Sequence, residues 1–319
     1  MTGRFLDHPR KKVVREIWDT PILRHIRDKW EANYFYCGLP GPEAIDIVLW
    51  RDMIRRIIAF EQLCEGSYSR KNIAQLNRNL TVLQIPHKVY SGNMEEVIID
   101  GIDLDGLTFE IDELVTLFNL DFCDHISSTI STYHGKELLR FEALREIISL
   151  QRRIYRITSS NKFILLITAR DALHYNVINP FLANKDLPLE IRTFVDNVVD
   201  SRGIEQDQYG LVYDSSLLKT FIFSCLRDYL RGQAVKSVFL PPVIYSGATE
   251  QSPMIHFVVI CSMEDMETAQ VTDDQIAEDF LRMKIIRVTD NNIEAANIDP
   301  EADTLVNDAI SFIEDFKGI

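Results

Sequence analysis

Two acids close two apolar runs in this chain of 319 residues, and they are the first places to look for chemistry. Glu61 ends "RRIIAFE", and Asp121 ends the run that begins at Leu114. A carboxylate after an apolar strand must be hydrogen-bonded, solvated or put to use, because burying it unpaired is costly. Glu61 belongs to "YFYCGLPGPEAIDIVLWRDMIRRIIAFE", Tyr34 to Glu61. Here an apolar stretch with Tyr36 and Cys37 breaks at Gly38-Leu39-Pro40-Gly41-Pro42, passes into a helical pattern and ends in a second apolar run. This outline of strand, turn, helix and strand suits a nucleotide, but it also suits an ordinary core. A glycine in the turn lets the backbone approach a neighbour with no Cβ in the way. Taken alone, Gly-x-x-Gly is a turn and Glu61 a surface acid.

Around Asp121 the sequence reads Asn119-Leu120-Asp121-Phe122-Cys123, followed by Asp124 and His125, with His134 further on. Cys123 is a potential nucleophile, although free cysteines mostly behave as small core residues. His125 and His134 are potential bases, or structural histidines. Asp124 and His125 show no ligand spacing and no Cys-x-x-Cys pair occurs, so no metal site is expected. Cys37, Cys64, Cys123, Cys225 and Cys261 are scattered and odd in number, which speaks against a disulfide framework.

The elements that must position these residues follow from periodicity. Ile17, Ile22, Leu23, Ile26 and Trp30 recur at helical spacing and lead into a first strand. Pro42 suits the first turn of a helix whose stripe is Ala44, Ile45, Val48, Leu49 and Met53. "SRKNIAQLNRNL" is a helix with Ser69 as its cap, and "HKVYSGNMEEVI" gives a strand, Gly92-Asn93 and a helical turn. The run Leu114–Leu120 and "NKFILLITARDAL" read as strands buried on both faces, separated by a long amphipathic helix. Residues 171–232 are mainly helical. "KSVFLPPVIYSG" and "SPMIHFVVICSM", joined through "ATEQ", read as an antiparallel hairpin. Strands alternating with helices imply a doubly wound, mostly parallel α/β sheet.

Apolar residues make up 46% and charged residues 26%, the balance of a globular protein. No apolar run is long enough to span a membrane, and the N-terminus lacks a signal-peptide core, so the cytoplasm is the expected compartment. The net charge of −14 is unevenly spread. Residues 1–30 carry eight Lys/Arg against four Asp/Glu, and residues 264–319 carry fifteen Asp/Glu against four Lys/Arg. So acidic a chain is a poor non-specific polyanion binder. The expected organisation is a basic helical arm over 1–30, an α/β domain over 31–263 and an acidic helical tail over 264–319. The two charged ends could pair with each other or with a protein partner of opposite charge. The basic arm could also touch a phosphate backbone locally, and its plainer reading is a solvated helix face.

The order of elements resembles the class I S-adenosylmethionine-dependent methyltransferases over about 31–263. That family has a seven-stranded sheet whose last strand inserts antiparallel, and it binds its cofactor at the carboxyl ends of the first four strands. The resemblance implies S-adenosyl-L-methionine as cofactor. It places Tyr36, Gly38, Pro40 and Gly41 at the cofactor loop. It makes Glu61, twenty residues after Gly41, the acid that bonds the ribose hydroxyls. Asn93 and Met94 would flank the adenine. Asp121 and Phe122 would face the reacting methyl, with Asp121 also near the cofactor. Residues 171–232 would cover the acceptor pocket, lined by Tyr175, Asn179 and Phe181. The loop departs from the family pattern in lacking an acid before its first glycine and in carrying two prolines, which remove two amide donors. The Asp121 motif names no acceptor: nucleic acid, protein and small molecule all stay open. The rival readings are a binding subunit that keeps the fold without the transfer, and a nicotinamide-dependent oxidoreductase. The hairpin and the missing Gly-x-Gly-x-x-Gly argue against the oxidoreductase.

Overall fold

The computed structural model describes residues 9–61, 68–131, 137–155, 160–246, 253–264, 284–289, 292–295 and 302–315. His134, Cys64, the turn "ATEQ" and the side chains of Ser69 and Cys123 lie outside what is described.

The chain opens with α1 (Pro9–Val13), a π-helical turn (Val14–Asp19) and α2 (Thr20–Trp30). Strand β1 (Tyr34–Gly38) precedes the short α3 (Ile45–Leu49), a 3-10 turn and β2 (Ile54–Glu61). Then come α4 (Tyr68–Val82), β3 (His87–Ser91), α5 (Met94–Asp100) and β4 (Leu117–His125). A small hairpin, β5 (Thr129–Ser131) and β6 (Glu137–Leu139), leads to α6 (Arg140–Tyr155) and β7 (Lys162–Arg170). The helical stretch holds β8 (Leu173–His174), α7 (Tyr175–Leu182), α8 (Leu189–Arg202), β9 (Leu211–Val212) and α9 (Ser215–Gly232). Strands β10 (Val235–Phe239), β11 (Val243–Ser246) and β12 (Pro253–Met263) follow, then β13 (Ile286–Val288), β14 (Ile293–Ala295) and α10 (Ala302–Asp315).

Strands β3, β2, β1, β4 and β7 lie side by side and parallel. Next to β7 runs β12, antiparallel, and beyond it β10 and β11, both antiparallel to β12. The last strand of the hairpin is therefore inserted inside the sheet, the strand order of the Rossmann-like methyltransferase fold. Strands β10 and β11 are one bent strand: Phe239 pairs with Val259 and Val243 with His256. Three residues on one side, Leu240-Pro241-Pro242, thus face two on the other, a bulge where the prolines have no amide to give the ladder.

Alternation along each strand sends side chains to two cores. Phe35, Cys37, Phe118, Leu120 and Phe122 pack with α5, α6 and α9. Tyr34, Tyr36, Leu117 and Leu166 pack on the other face with the N-terminal helices, α4 and α10. Val13, Val14, Trp18, Ile22, Leu23 and Ile26 are all buried there, so the first helices are a layer of the core. Among the described residues of the tail, β13 and β14 extend the sheet beyond β11, and Ala302–Asp315 are helical. The helix expected after Pro42 is shorter than its apolar stripe. Ala44 takes a left-handed conformation with φ 52°, so helical geometry begins only at Ile45. Among the described residues no helix is long and apolar enough to cross a membrane.

Candidate functional site

The carboxyl ends of β1, β2, β4 and β7 share one edge of the sheet. On the face that carries α2 this edge presents Tyr36, Gly38, Glu61, Asn119, Asp121 and Thr168. Gly38 stands opposite Asn119 in register, and Asp121 opposite Thr168. Open α/β sheets hold ligands at this edge, where connections leave in opposite directions.

Gly38 has a packing reason to be glycine, since an added Cβ would press on the main-chain oxygen of Asn119. That same oxygen accepts the Leu39 amide at 3.1 Å. Gly41 differs: its φ of +65° favours glycine, and the space an added Cβ would enter is open. Pro40 is buried and helps to hold the loop between them. The Asn119 side-chain amide donates to Asp46 Oδ2 at 2.7 Å and to the Tyr36 hydroxyl at 3.2 Å. Burial pushes the Tyr36 hydroxyl well above its ordinary pKa, so it stays a neutral phenol.

The polar side chains of this edge meet the first helices. Lys11 pairs with Asp121 and Arg15 with Asp46. Asp19 faces His256 Nε2 at 2.9 Å, and His256 Nδ1 lies 2.8 Å from the Thr168 hydroxyl. Arg10 donates to Ser246 at 2.5 Å. Burial raises the Asp46 carboxyl pKa, and Arg15 and Lys11 offset only part of that. For Lys11, burial works to neutralise the ammonium, but the attraction of Asp121 and Asp46 wins and its pKa is raised. Lys11, Arg15 and Asp19 recur every fourth residue, beside the buried Val14, Trp18 and Ile22 on the same helical face. That spacing was the available signal that this basic stretch faces inward.

Glu61 is buried at the last position of β2, 9% exposed. Among the described residues its carboxylate has one hydrogen bond, a long one of 3.5 Å from the Asn72 amide. A carboxylate offers about four acceptor positions, so most of them meet no donor among the described residues. Burial raises its pKa to about 7, and the Asn72 bond only partly counters this.

Not every expected residue joins this edge. Phe122 points to the opposite face, buried beneath the Arg140 guanidinium, which lies 5.3 Å from its ring centre. Met94 is fully buried in the same core, and Asn93 stands at the N-cap of α5. His125 Nδ1 lies 2.9 Å from the Ser127 hydroxyl, which also accepts the His174 amide at 2.8 Å. Burial lowers the pKa of His125. Tyr175 and Phe181 are half-buried against the α6-side core, and α7 carries Asn179 between them. Nearby, Asp171 is buried and bonded to Ser215, and burial raises its pKa to about 6. Among the described residues no group of three or more His, Cys, Asp or Glu is placed to hold a metal ion.

No protein-family model and no curated protein matches the chain. Solved structures similar to it include Trm5b from Pyrococcus abyssi, 9% identical over 75% of this chain, with a TM-score of 0.37. The chain spans 48% of that protein's length. The N-methyltransferase NodS from Bradyrhizobium japonicum is 10% identical, with 81% of this chain and 99% of that one covered and a TM-score of 0.39. An S-adenosylmethionine-dependent methyltransferase from Clostridium acetobutylicum is 9% identical, with 81% and 96% covered and a TM-score of 0.40. At such scores the fold rests on the strand order itself: five parallel strands followed by an inserted antiparallel one give this chain the Rossmann-like methyltransferase fold.

Proposed function

We propose that the chain binds S-adenosyl-L-methionine at the carboxyl edge of β1, β2 and β4, and that it is a cytoplasmic methyltransferase. The observation that carries this reading is Glu61. A buried acid with one long hydrogen bond among the described residues is costly to keep, and it becomes useful when a ligand brings donors to it. Two neighbouring ribose hydroxyls are such donors. The open space beside Gly41 leaves room for the ligand's backbone contacts, and Asp121 lies on the same face of the sheet.

When bound, the cofactor supplies a methyl group already activated by its sulfonium. What remains for the protein is to bind, orient and exclude water. Glu61 holds the ribose, the 38–41 turn shapes the wall beside it, and Asp121 orients the acceptor. The acceptor's class stays open among nucleic acid, protein and small molecule.

One observation favours a second reading, a binding subunit without transfer. Asp121 and Asp46 are already engaged by Lys11 and Arg15. Calorimetric titration with S-adenosylhomocysteine tests the site. Glu61→Ala should weaken binding by about 1–3 kcal/mol, the loss of charge-assisted hydrogen bonds. Equal affinity in the two proteins would remove Glu61 from the site. Binding without transfer of labelled methyl to nucleic acid, protein or small-molecule pools would favour the second reading.

A further inference from the structure

Asp121 is the acid placed to meet an acceptor, and it does not stand alone. Its carboxylate is paired with the Lys11 ammonium, 110 residues away in sequence. The side chains are partly open, 28% exposed for Lys11 and 15% for Asp121, so the pair sits at the lip of the crevice. Lys11 belongs to α1, whose course is fixed by Val13, Val14 and Trp18 in the core. Arg15, one turn on, is tied to Asp46, and Asp46 to Asn119 on the same strand as Asp121. The ammonium therefore projects from a rigid base towards a rigid strand. Desolvating two charges largely cancels their attraction, so a pair in such a place contributes little net stability and is better accounted for by orientation.

We propose that Lys11 is a positioning residue for Asp121: from the first helix it fixes the direction of the carboxylate that receives the acceptor. The inference rests on the function proposed above, and it makes the first helix a wall of the site. Lysine, with its single compact charge, engages one carboxylate oxygen and leaves the other for the acceptor. Arg15 and Asp46 brace the wall from below.

The test follows Asp121 directly. The whole protein is treated at pH 6 with a water-soluble carbodiimide and glycine ethyl ester, and modification at Asp121 and at exposed Asp52 is read by mass spectrometry. Lys11→Met should raise modification at Asp121 several-fold and leave Asp52 unchanged. Lys11→Arg should restore protection, which a role confined to packing would not require. Affinity for S-adenosylhomocysteine should stay within a few-fold in Lys11→Met, whereas Glu61→Ala loses it. Unchanged modification of Asp121 overturns the proposal. So does a fall in affinity as large as that of Glu61→Ala, which would make Lys11 a cofactor ligand. A rise in affinity overturns it as well, because Lys11 would then be a gate. Lys11→Gln is the second variant, and loss of the fold in both neutral variants would assign Lys11 to stability alone. Failure of the wild-type protein to bind S-adenosylhomocysteine would instead strike the proposed function and leave the labelling result intact.

Discussion

Asn119 ties β4 to Asp46 on α3 and to Gly38 at the end of β1. Its side-chain amide lies 2.7 Å from Asp46 Oδ2, and its main-chain oxygen lies against Gly38. Both contacts use the polar residue two positions before Asp121 on β4. The floor of the crevice is thus set by two strand ends and by an acid, Asp46, in the first turn of α3.

Asp46 is buried and faces Arg15, so removing one partner strands the other charge. Asp46→Ala should cost about 3–5 kcal/mol in urea unfolding. The double replacement Arg15→Met with Asp46→Leu should recover most of that, because two apolar side chains leave no uncompensated charge. Losses that simply add in the double variant would show that the pair is not the source of the cost.

The two glycines of the turn should separate cleanly. Gly38→Ala forces a Cβ into the Asn119 carbonyl, a backbone group that cannot swing aside, and should cost about 1–3 kcal/mol by overpacking. Gly41→Ala meets open space and pays only for its φ of +65°, about 1 kcal/mol. Thermal melts of the two variants decide the order. If Gly41→Ala is the more damaging, the loop carries a constraint beyond backbone conformation.

The parallel strands and the antiparallel hairpin were legible from local patterns of apolar runs and turns, whereas the insertion of the last strand inside the sheet came from the family resemblance. An apolar run ending in an acid marked β2 and Glu61 correctly, but β4 begins at Leu117 and runs past Asp121 to His125. The pairing of Lys11 with Asp121 and of Arg15 with Asp46 was not legible, because it arises through tertiary packing. The spacing of Lys11, Arg15 and Asp19 beside the apolar stripe signals that they face inward, but not which acid each one meets. Phe122 shows a different limit: side chains one apart on a strand point to opposite faces, so Asp121 and Phe122 do not line the same side of the sheet. The short α3 escaped notice because Ala44 carries a left-handed φ of 52° that nothing in its residue type announces.

Glu61 should make stability depend on pH. Its folded pKa is about 7, raised by burial from an ordinary value of 4.5, so the native state binds the proton more tightly than the unfolded chain. Its contribution is fully present below about pH 4.5 and is lost as pH rises through 7, on the order of 3 kcal/mol in all. Asp171, raised from 3.8 to about 6, adds a loss in an overlapping window and is unchanged in the comparison. Glu61→Gln should therefore be more stable than wild type at pH 7.5, with the difference shrinking towards pH 4.5. Urea midpoints across that range that run parallel for the two proteins would contradict the burial of Glu61.

The two ends of the chain meet where α2 and α10 pack together. His25 lies 2.7 Å and Lys29 3.7 Å from Glu314, and Lys29 donates to the Ile313 main-chain oxygen at 3.3 Å. The charged contacts are the visible link, but Glu314 is half exposed and salt screens such pairs. Ile313 is fully buried on the same helix, beside Ala309 and Val306. Glu314→Ala should then change stability by under about 1 kcal/mol. Ile313→Ala should cost about 2–5 kcal/mol, through lost transfer energy and the cavity left behind. Urea unfolding at low and high salt separates the terms, since the Ile313 effect should not move with salt. A larger loss from Glu314→Ala than from Ile313→Ala would mean that charge, and not burial, holds the tail to the first helices.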